Sequence, residues 1–362
     1  MSSQQQTPEP PRETAQQEDD FRLKSDAWHM QNDLSIPEFD REPFDEYPGV
    51  VPDALIHKWD AGRDMSSGGT DLLAVGPPGS GKSTLFLNLS KYLIELNRET
   101  VVWRGSTNRS EWLPFGPYAR VCLPEGRSVT ARFQPRDPTR QARRTSLDEL
   151  QEHGWIREVV RYSDPVDLWS NKLLKHGFNV VYPDPRLSGC QEVLERSARQ
   201  YDLEFTPDDP PAHWWIAAAL ARVEGRTPNY WTSLMLDEIG DIVPEHAQAD
   251  EYDTYLKVEL FRDAYADFRK FGVSSYKAGH VESDVHHLIR HKVRWRLTLN
   301  GTANPTSASS VVGYNTVPMK TDLTSNLDVG EGLMWTETNF DLLSWHDVPS
   351  PSSDKLVLEV GR

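Results

Sequence analysis

In the run Gly76-Pro77-Pro78-Gly79-Ser80-Gly81-Lys82-Ser83-Thr84 the first eight residues fit the pattern G-x-x-x-x-G-K-[ST]. They follow an apolar run, Leu72–Val75, and open an amphipathic stretch, the strand–loop–helix context in which this pattern cradles phosphates. Glycines at Gly76, Gly79 and Gly81 allow backbone conformations closed to other residues, so that main-chain amides can turn toward an anion. The helix starting near Lys82 aims its positive end at the same place. Lys82 is expected to bridge the β- and γ-phosphates of ATP, and Ser83 to bind Mg2+.

A second motif lies about 150 residues on. Leu234-Met235-Leu236-Asp237-Glu238 reads as a buried strand ending in two carboxylates. Asp237 is expected to hold Mg2+ through water, and Glu238 to polarise the attacking water as general base. A phosphate-transferring kinase needs no such base, so the second carboxylate argues for hydrolysis. Further along, a helix carries Arg262 and Arg269 seven residues apart, on one face. Arg262 reads as a solvating surface residue. Arg269, at the helix end, is placed to reach a neighbouring subunit's γ-phosphate as an arginine finger. His280 ends the next strand, where an imidazole can sense the γ-phosphate. His280, His286, His287 and His291 invite a metal reading, since His287 and His291 share a helix face, but no cysteine accompanies them, and a helix of partly exposed histidines is the expectation.

These residues must be positioned by a repeating frame. Short β-like runs (Asp71–Val75, Thr100–Arg104, Asn179–Tyr182, Thr232–Asp237, Val273–Ala278, Val293–Leu299) alternate with helical stretches (Ser83–Glu95, Pro165–Lys175, Gln191–Tyr201, Ala212–Glu224, Tyr252–Phe271, Ser283–His291). That rhythm implies an α/β fold with a mainly parallel sheet flanked by helices. Residues 47–348 form the expected core. Residues 1–46 carry 12 acids against 4 bases and read as a disordered acidic tail, with residues 349–362 a second tail in which Lys355–Val360 could add an edge strand. Residues 105–161, with five prolines, read as an insertion containing a strand at Ser128–Phe133 and a helix near Leu147–Tyr162. Within it Arg127, Arg132, Arg136, Arg140, Arg143 and Arg144 face a single acid, Asp137, in a chain of net charge −16. Such a cluster suits either solvated pairing with acids elsewhere or contact with a polyanion.

Composition narrows the rest. Cys122 and Cys190, the only cysteines, cannot make a disulfide framework or a cysteine zinc site. No run has the length of a membrane span, and the first residues lack the layout of a signal peptide, so a cytoplasmic or virion-interior location is expected. Arginines outnumber lysines 27 to 12, and the acidic surface suits high salt.

The order of these motifs resembles the FtsK–HerA superfamily of P-loop motors, which includes DNA translocases, conjugative coupling proteins and viral genome-packaging ATPases. The resemblance rests on the Asp237–Glu238 strand, the helix ending Arg269-Lys270-Phe271-Gly272, the following strand, the Arg-rich Val293–Leu299 and the turn Gly330-Glu331-Gly332-Leu333. It covers roughly residues 68–345, leaving 105–161 unmatched. It implies a RecA-like core, a homo-oligomeric ring, and double-stranded DNA as partner. His280 stands where the family usually has Gln. The composition further resembles ATPases of haloarchaeal viruses and plasmids. An ATPase of virion or membrane assembly that leaves DNA alone, a nucleotide-gated switch and a small-molecule kinase are the alternatives.

Overall fold

The computed structural model describes residues 26–45, 49–55, 69–199, 201–224, 227–302 and 320–362. Its strands are β1 (Asp71–Val75), β2 (Thr100–Arg104), β3 (Ala119–Pro124), β4 (Val129–Gln134), β5 (Arg143–Thr145), β6 (Glu158–Tyr162), β7 (Phe178–Val181), β8 (Thr232–Leu236), β9 (Val273–Gly279), β10 (Trp295–Leu299), β11 (Glu331–Trp335), β12 (Phe340–Ser344) and β13 (Lys355–Val360). Ten of them make one sheet in the order β12-β11-β10-β1-β9-β8-β2-β7-β3-β6. Every pair from β10 to β6 is parallel, and β11 and β12 close one edge as an antiparallel hairpin. This is the mainly parallel α/β sheet that the alternation of runs predicts.

A parallel sheet covered on both faces needs apolar residues on both sides of each strand. In β1, Leu72 and Ala74 enter one core, while Leu73 and Val75 enter the other. In β2, Val101 and Trp103 face the first core and Val102 the second. The helix Lys82–Asn97 covers the first face with Leu85, Phe86, Leu89 and Leu93, spaced by three or four residues so that one stripe is apolar. It ends where Arg98 turns left-handed (φ 53°) and returns its N–H to the Ile94 carbonyl. The opposite face is covered by Trp214–Val223, an alanine-rich helix buried along its whole length, and by Thr254–Asp267.

The chain outside this frame departs from the sequence reading in three places. Residues 26–45 lie within the stretch expected to be a disordered tail, yet Asp26–Leu34 is a helix, and Met30 and Ile36 are fully buried in the first core. Three scattered contacts also fix it: Arg157 to Asp26 at 2.9 Å, Lys91 to the Pro37 carbonyl at 2.8 Å, and Tyr118 to Asp33. Acidity masked an apolar stripe too short to read as a helix on its own.

Residues 105–161 are not a self-contained insertion, because β3 and β6 extend the main sheet beyond β7. The helix expected over Leu147–Tyr162 stops at Glu152. Ser146 and Glu149 cap its start reciprocally, Gly154 (φ 68°) breaks it, and the β-branched pair Val159–Val160 continues as β6.

Lys355–Val360 is a strand, but it pairs with β4 in a separate sheet, β13-β4-β5, with Leu356 and Leu358 buried. The end of the chain, expected to be a tail, is therefore built into the fold. Among the described residues no helix is long and apolar enough to cross a membrane.

Candidate functional site

The sheet order decides what meets. β9 lies between β1 and β8, so the segments leaving the C-terminal ends of these three neighbours converge. Gly76 follows β1 and donates its N–H to the Gly279 carbonyl at 3.2 Å, His280 follows β9, and Asp237 and Glu238 follow β8. The loop residues Gly76, Pro77, Pro78, Gly79, Ser80 and Gly81 and the helix residues Lys82, Ser83 and Thr84 are thus brought together with Asp237, Glu238 and His280.

Two glycines in this loop have structural reasons. Gly81 sits at φ 91°, and a Cβ there would also lie 3.3 Å from the indole Nε1 of Trp345. At Gly76 a Cβ would fall 2.5 Å from Ser80 Oγ. Trp345 is held over the loop because Asn88, on the adjoining helix, accepts from the His346 amide (3.3 Å) and donates to the His346 carbonyl (2.9 Å). Lys82 Nζ donates to the carbonyls of Gly76 (2.5 Å) and Pro77 (2.9 Å), which folds its chain back over the loop. Burial lowers the Lys82 pKa, and the charges of Asp237 and Glu238 oppose that shift.

Asp237 is only 5% exposed. Burial pushes its carboxyl pKa up, Glu238 adds to the rise, and Arg109 and Arg104 oppose it. Glu238 has a left-handed backbone (φ 51°), which swings its carboxylate out of the strand line. His280 Nε2 stands 3.3 Å from Glu238 Oε1, and its Nδ1 is buried with no partner among the described residues.

Three side chains that the sequence reading passed over complete this cluster. Arg104, the last residue of β2, donates to the carbonyls of Asp237 (2.5 Å) and Glu238 (3.2 Å) and to Asp241 Oδ2 at 2.8 Å. It fixes the backbone on which both carboxylates ride. Arg109 binds Asp237 and Glu238 through their side chains, at 3.0 and 2.6 Å. Glu111 lines a 190 Å³ cleft with Ser83, Thr84, Val348 and Lys355.

The donor set fits Mg2+ and a polyphosphate. A buried carboxylate and a serine hydroxyl are hard oxygen donors of the kind this cation takes. Ser80 Oγ, inside the loop, is a buried donor with no partner among the described residues.

Arg269 is elsewhere. It precedes β9, whose far end carries His280, so a seven-residue strand separates the two, roughly 20 Å at the usual rise. It is exposed and lines a 300 Å³ cleft with Lys292 and Arg294. Arg262, read as a surface residue, pairs with Glu259 and Asp263. His286 and His287 stack at 4.4 Å, and among the described residues no group of three or more His, Cys, Asp or Glu is arranged to hold a metal ion.

Half of the arginine-rich cluster is paired within the chain. Arg127 binds Asp184 (2.9 Å), Arg132 binds Glu359 (3.2 Å), and Arg140 binds Asp354 (3.1 Å). Arg143 lies over the Phe133 ring, 4.8 Å from its centre. Arg136 and Arg144 are exposed.

No family model and no curated protein matches the chain. Solved structures do. The genome-packaging NTPase B204 of Sulfolobus turreted icosahedral virus 2, in complex with AMPPCP, matches at 12% identity and a TM-score of 0.37, over 76% of this chain and 96% of that one. VirB4 of Thermoanaerobacter pseudethanolicus matches at 13% and 0.43, over 80% and 94%. The pCW3 conjugation coupling protein TcpA matches at 11% and 0.39, over 86% and 71%. In fold, the chain is similar to a viral genome-packaging NTPase, to VirB4 and to a conjugation coupling protein.

Proposed function

We propose that the chain is an ATP-hydrolysing motor that assembles as a ring and acts on double-stranded DNA during packaging or transfer. One observation carries the hydrolytic part: the phosphate loop, the Asp237–Glu238 pair and His280 leave three adjacent strands at the same end of the sheet. The DNA part rests on the motif order shared with the FtsK–HerA superfamily.

In this reading the amides of Gly79–Ser83 bind the phosphates, and Lys82 exchanges the carbonyls of Gly76 and Pro77 for β- and γ-phosphate oxygens. Ser83 and Asp237 would hold Mg2+, which when bound offsets the negative charge of the triphosphate. Glu238 orients a water and takes its proton as the oxygen attacks the γ-phosphorus, while the bond to the β-phosphate oxygen breaks to give ADP and phosphate. His280, beside Glu238, changes hydrogen-bond partners as the γ-phosphate leaves. Such a difference between ATP and ADP states is what a subunit movement can be driven by.

The test is the ATPase rate of the purified chain with and without duplex DNA, at low and high salt, with Lys82→Ala as background. Stimulation by DNA that weakens with salt supports the motor. Hydrolysis indifferent to DNA leaves an assembly ATPase. For Arg127, Arg132 and Arg140 themselves, internal pairing favours solvated pairing with acids elsewhere in the chain over contact with a polyanion.

A further inference from the structure

Arg109 is on the loop that leaves β2, and its guanidinium spans two residues' carboxylates at once. Nη1 donates to Asp237 Oδ2 at 3.0 Å, and Nη2 donates to Glu238 Oε1 at 2.6 Å. A planar fork with two parallel donors meets both carboxylates in a fixed geometry, which an ammonium on a flexible stem does not impose. The loop is itself fixed, since Arg109 returns its N–H to the Ser106 carbonyl at 3.1 Å. Lys82 lies within electrostatic range of Arg109 and of both acids, with Glu111 and Arg104 beside them, so cations and carboxylates balance one another at the mouth of the phosphate loop.

The balance has a consequence for metal loading. Asp237 Oδ1 already accepts the Glu238 amide at 3.1 Å, and Oδ2 carries Arg109. Both oxygens of the carboxylate expected to hold Mg2+ are therefore engaged. Mg2+ brings two charges and a tight oxygen shell to the same place, so it and the guanidinium compete for Asp237. A second acceptor lies two residues along the same loop: Glu111 Oε2 is buried and has no hydrogen-bond partner among the described residues.

Resting on the hydrolytic reading of this site, we infer that Arg109 is a positioning residue with two effects. It holds Asp237 and Glu238 in the rotamers that face the phosphate loop, and it sets the Mg2+ concentration at which nucleotide is taken up, because a water of the Mg2+ shell must take over the Asp237 oxygen that Arg109 holds. Released from that oxygen, it keeps Glu238 aimed or moves onto Glu111.

The two effects predict opposite signs in one variant. Binding of a slowly hydrolysed ATP analogue is followed by fluorescence during a Mg2+ titration, on wild type, Arg109→Ala and Arg109→Lys, with turnover measured at saturating Mg2+. Arg109→Ala should lower the half-saturating Mg2+ by about tenfold, the scale of one lost charge-assisted pair, while reducing turnover. Arg109→Lys, which keeps the charge but not the planar fork, should fall between and keeps the test open should the alanine variant misfold. A merely structural arginine would make both measurements worse together. An unchanged or raised Mg2+ requirement in the folded variants overturns the inference. The titration reads binding alone. A wild type that binds but does not hydrolyse therefore refutes the motor and leaves Arg109 to be judged on its own Mg2+ dependence.

Discussion

His280 Nε2 and Glu238 Oε1 are 3.3 Å apart, across the gap between two neighbouring parallel strands. A ring nitrogen that touches Glu238, with its other nitrogen buried and without a partner among the described residues, is placed to link the carboxylate proposed as base to whatever fills the loop. His280→Ala should reduce turnover by about 10–100-fold, the usual effect of removing a partner that orients a reacting carboxylate. Nucleotide affinity should change little. Steady-state kinetics beside analogue binding would check this, and His280→Gln, which keeps a hydrogen-bonding tip, should recover part of the loss.

Lys82 and Glu238 should fail differently. Lys82 is expected to touch phosphate in both ground and transition states, so Lys82→Ala should weaken ATP binding and abolish hydrolysis. Glu238 is proposed to act on the attacking water, so Glu238→Gln should still bind ATP while turnover falls by at least about 10²-fold. Trapped nucleotide in a rapid-filtration assay is the measurement. Near-normal turnover in Glu238→Gln would remove its assignment as base.

Away from the site, Lys277 is buried within β9 and held 2.6 Å from Asp71 Oδ1, with Ser275 Oγ at 2.7 Å and the Tyr265 hydroxyl at 3.1 Å. Burial lowers the Lys277 pKa, and Asp71 works against that shift. The partners are unequal, because Asp71 keeps some access to water and Lys277 has almost none. Asp71→Ala strands a buried ammonium and should cost about 3–5 kcal/mol in urea unfolding. Lys277→Met leaves a carboxylate that can hydrate, and it should be far milder.

Glu111 gives a pH-dependent prediction. Burial raises its pKa above 4.5, with Asp237 adding to the rise and Arg109 opposing it. In the native state it therefore binds a proton more tightly than in the unfolded chain. Its contribution to stability is complete below the unfolded value and is lost as pH rises through the native one. Glu111→Gln does not titrate. Its melting temperature relative to wild type should climb as pH rises from about 4.5 and then level off. A constant difference across that window would show that Glu111 ionises as freely in the fold as outside it.

The parts of this site visible in the sequence are those written within one local stretch. Gly76–Thr84 announces itself because loop, cation and helix start are contiguous, and Leu234–Glu238 because its strand and carboxylates are. Arg104 and Arg109 carry no such local mark. Each reads as one arginine among 27, and its role depends on β2 lying next to β8, a neighbour relation set by sheet order and not by sequence order. The same blindness affected residues 105–161, where prolines and arginines hid two strands of the main sheet. It also affected residues 26–45, whose acidic surface hid Met30 and Ile36.

Arg269 remains the residue whose role depends most on a second subunit. It lies at the opposite end of β9 from His280, so it cannot serve the phosphate loop of its own chain. Yet it is exposed, lining a cleft with Lys292 and Arg294, as a residue that reaches a neighbour must be. If it is a finger, Arg269→Ala should lose turnover while still binding nucleotide. Mixed with Lys82→Ala, inactive for a different reason, it should regain activity, since some interfaces then join an intact loop to an intact arginine. The check is the hydrolysis rate across a series of mixing ratios, with the two proteins pre-assembled separately as the control. Recovery that peaks at intermediate ratios places the arginine in trans. An inactive Arg269→Ala that no ratio rescues gives it a structural role, and a fully active one moves the search for a finger to Arg136 and Arg144, two exposed arginines of residues 105–161.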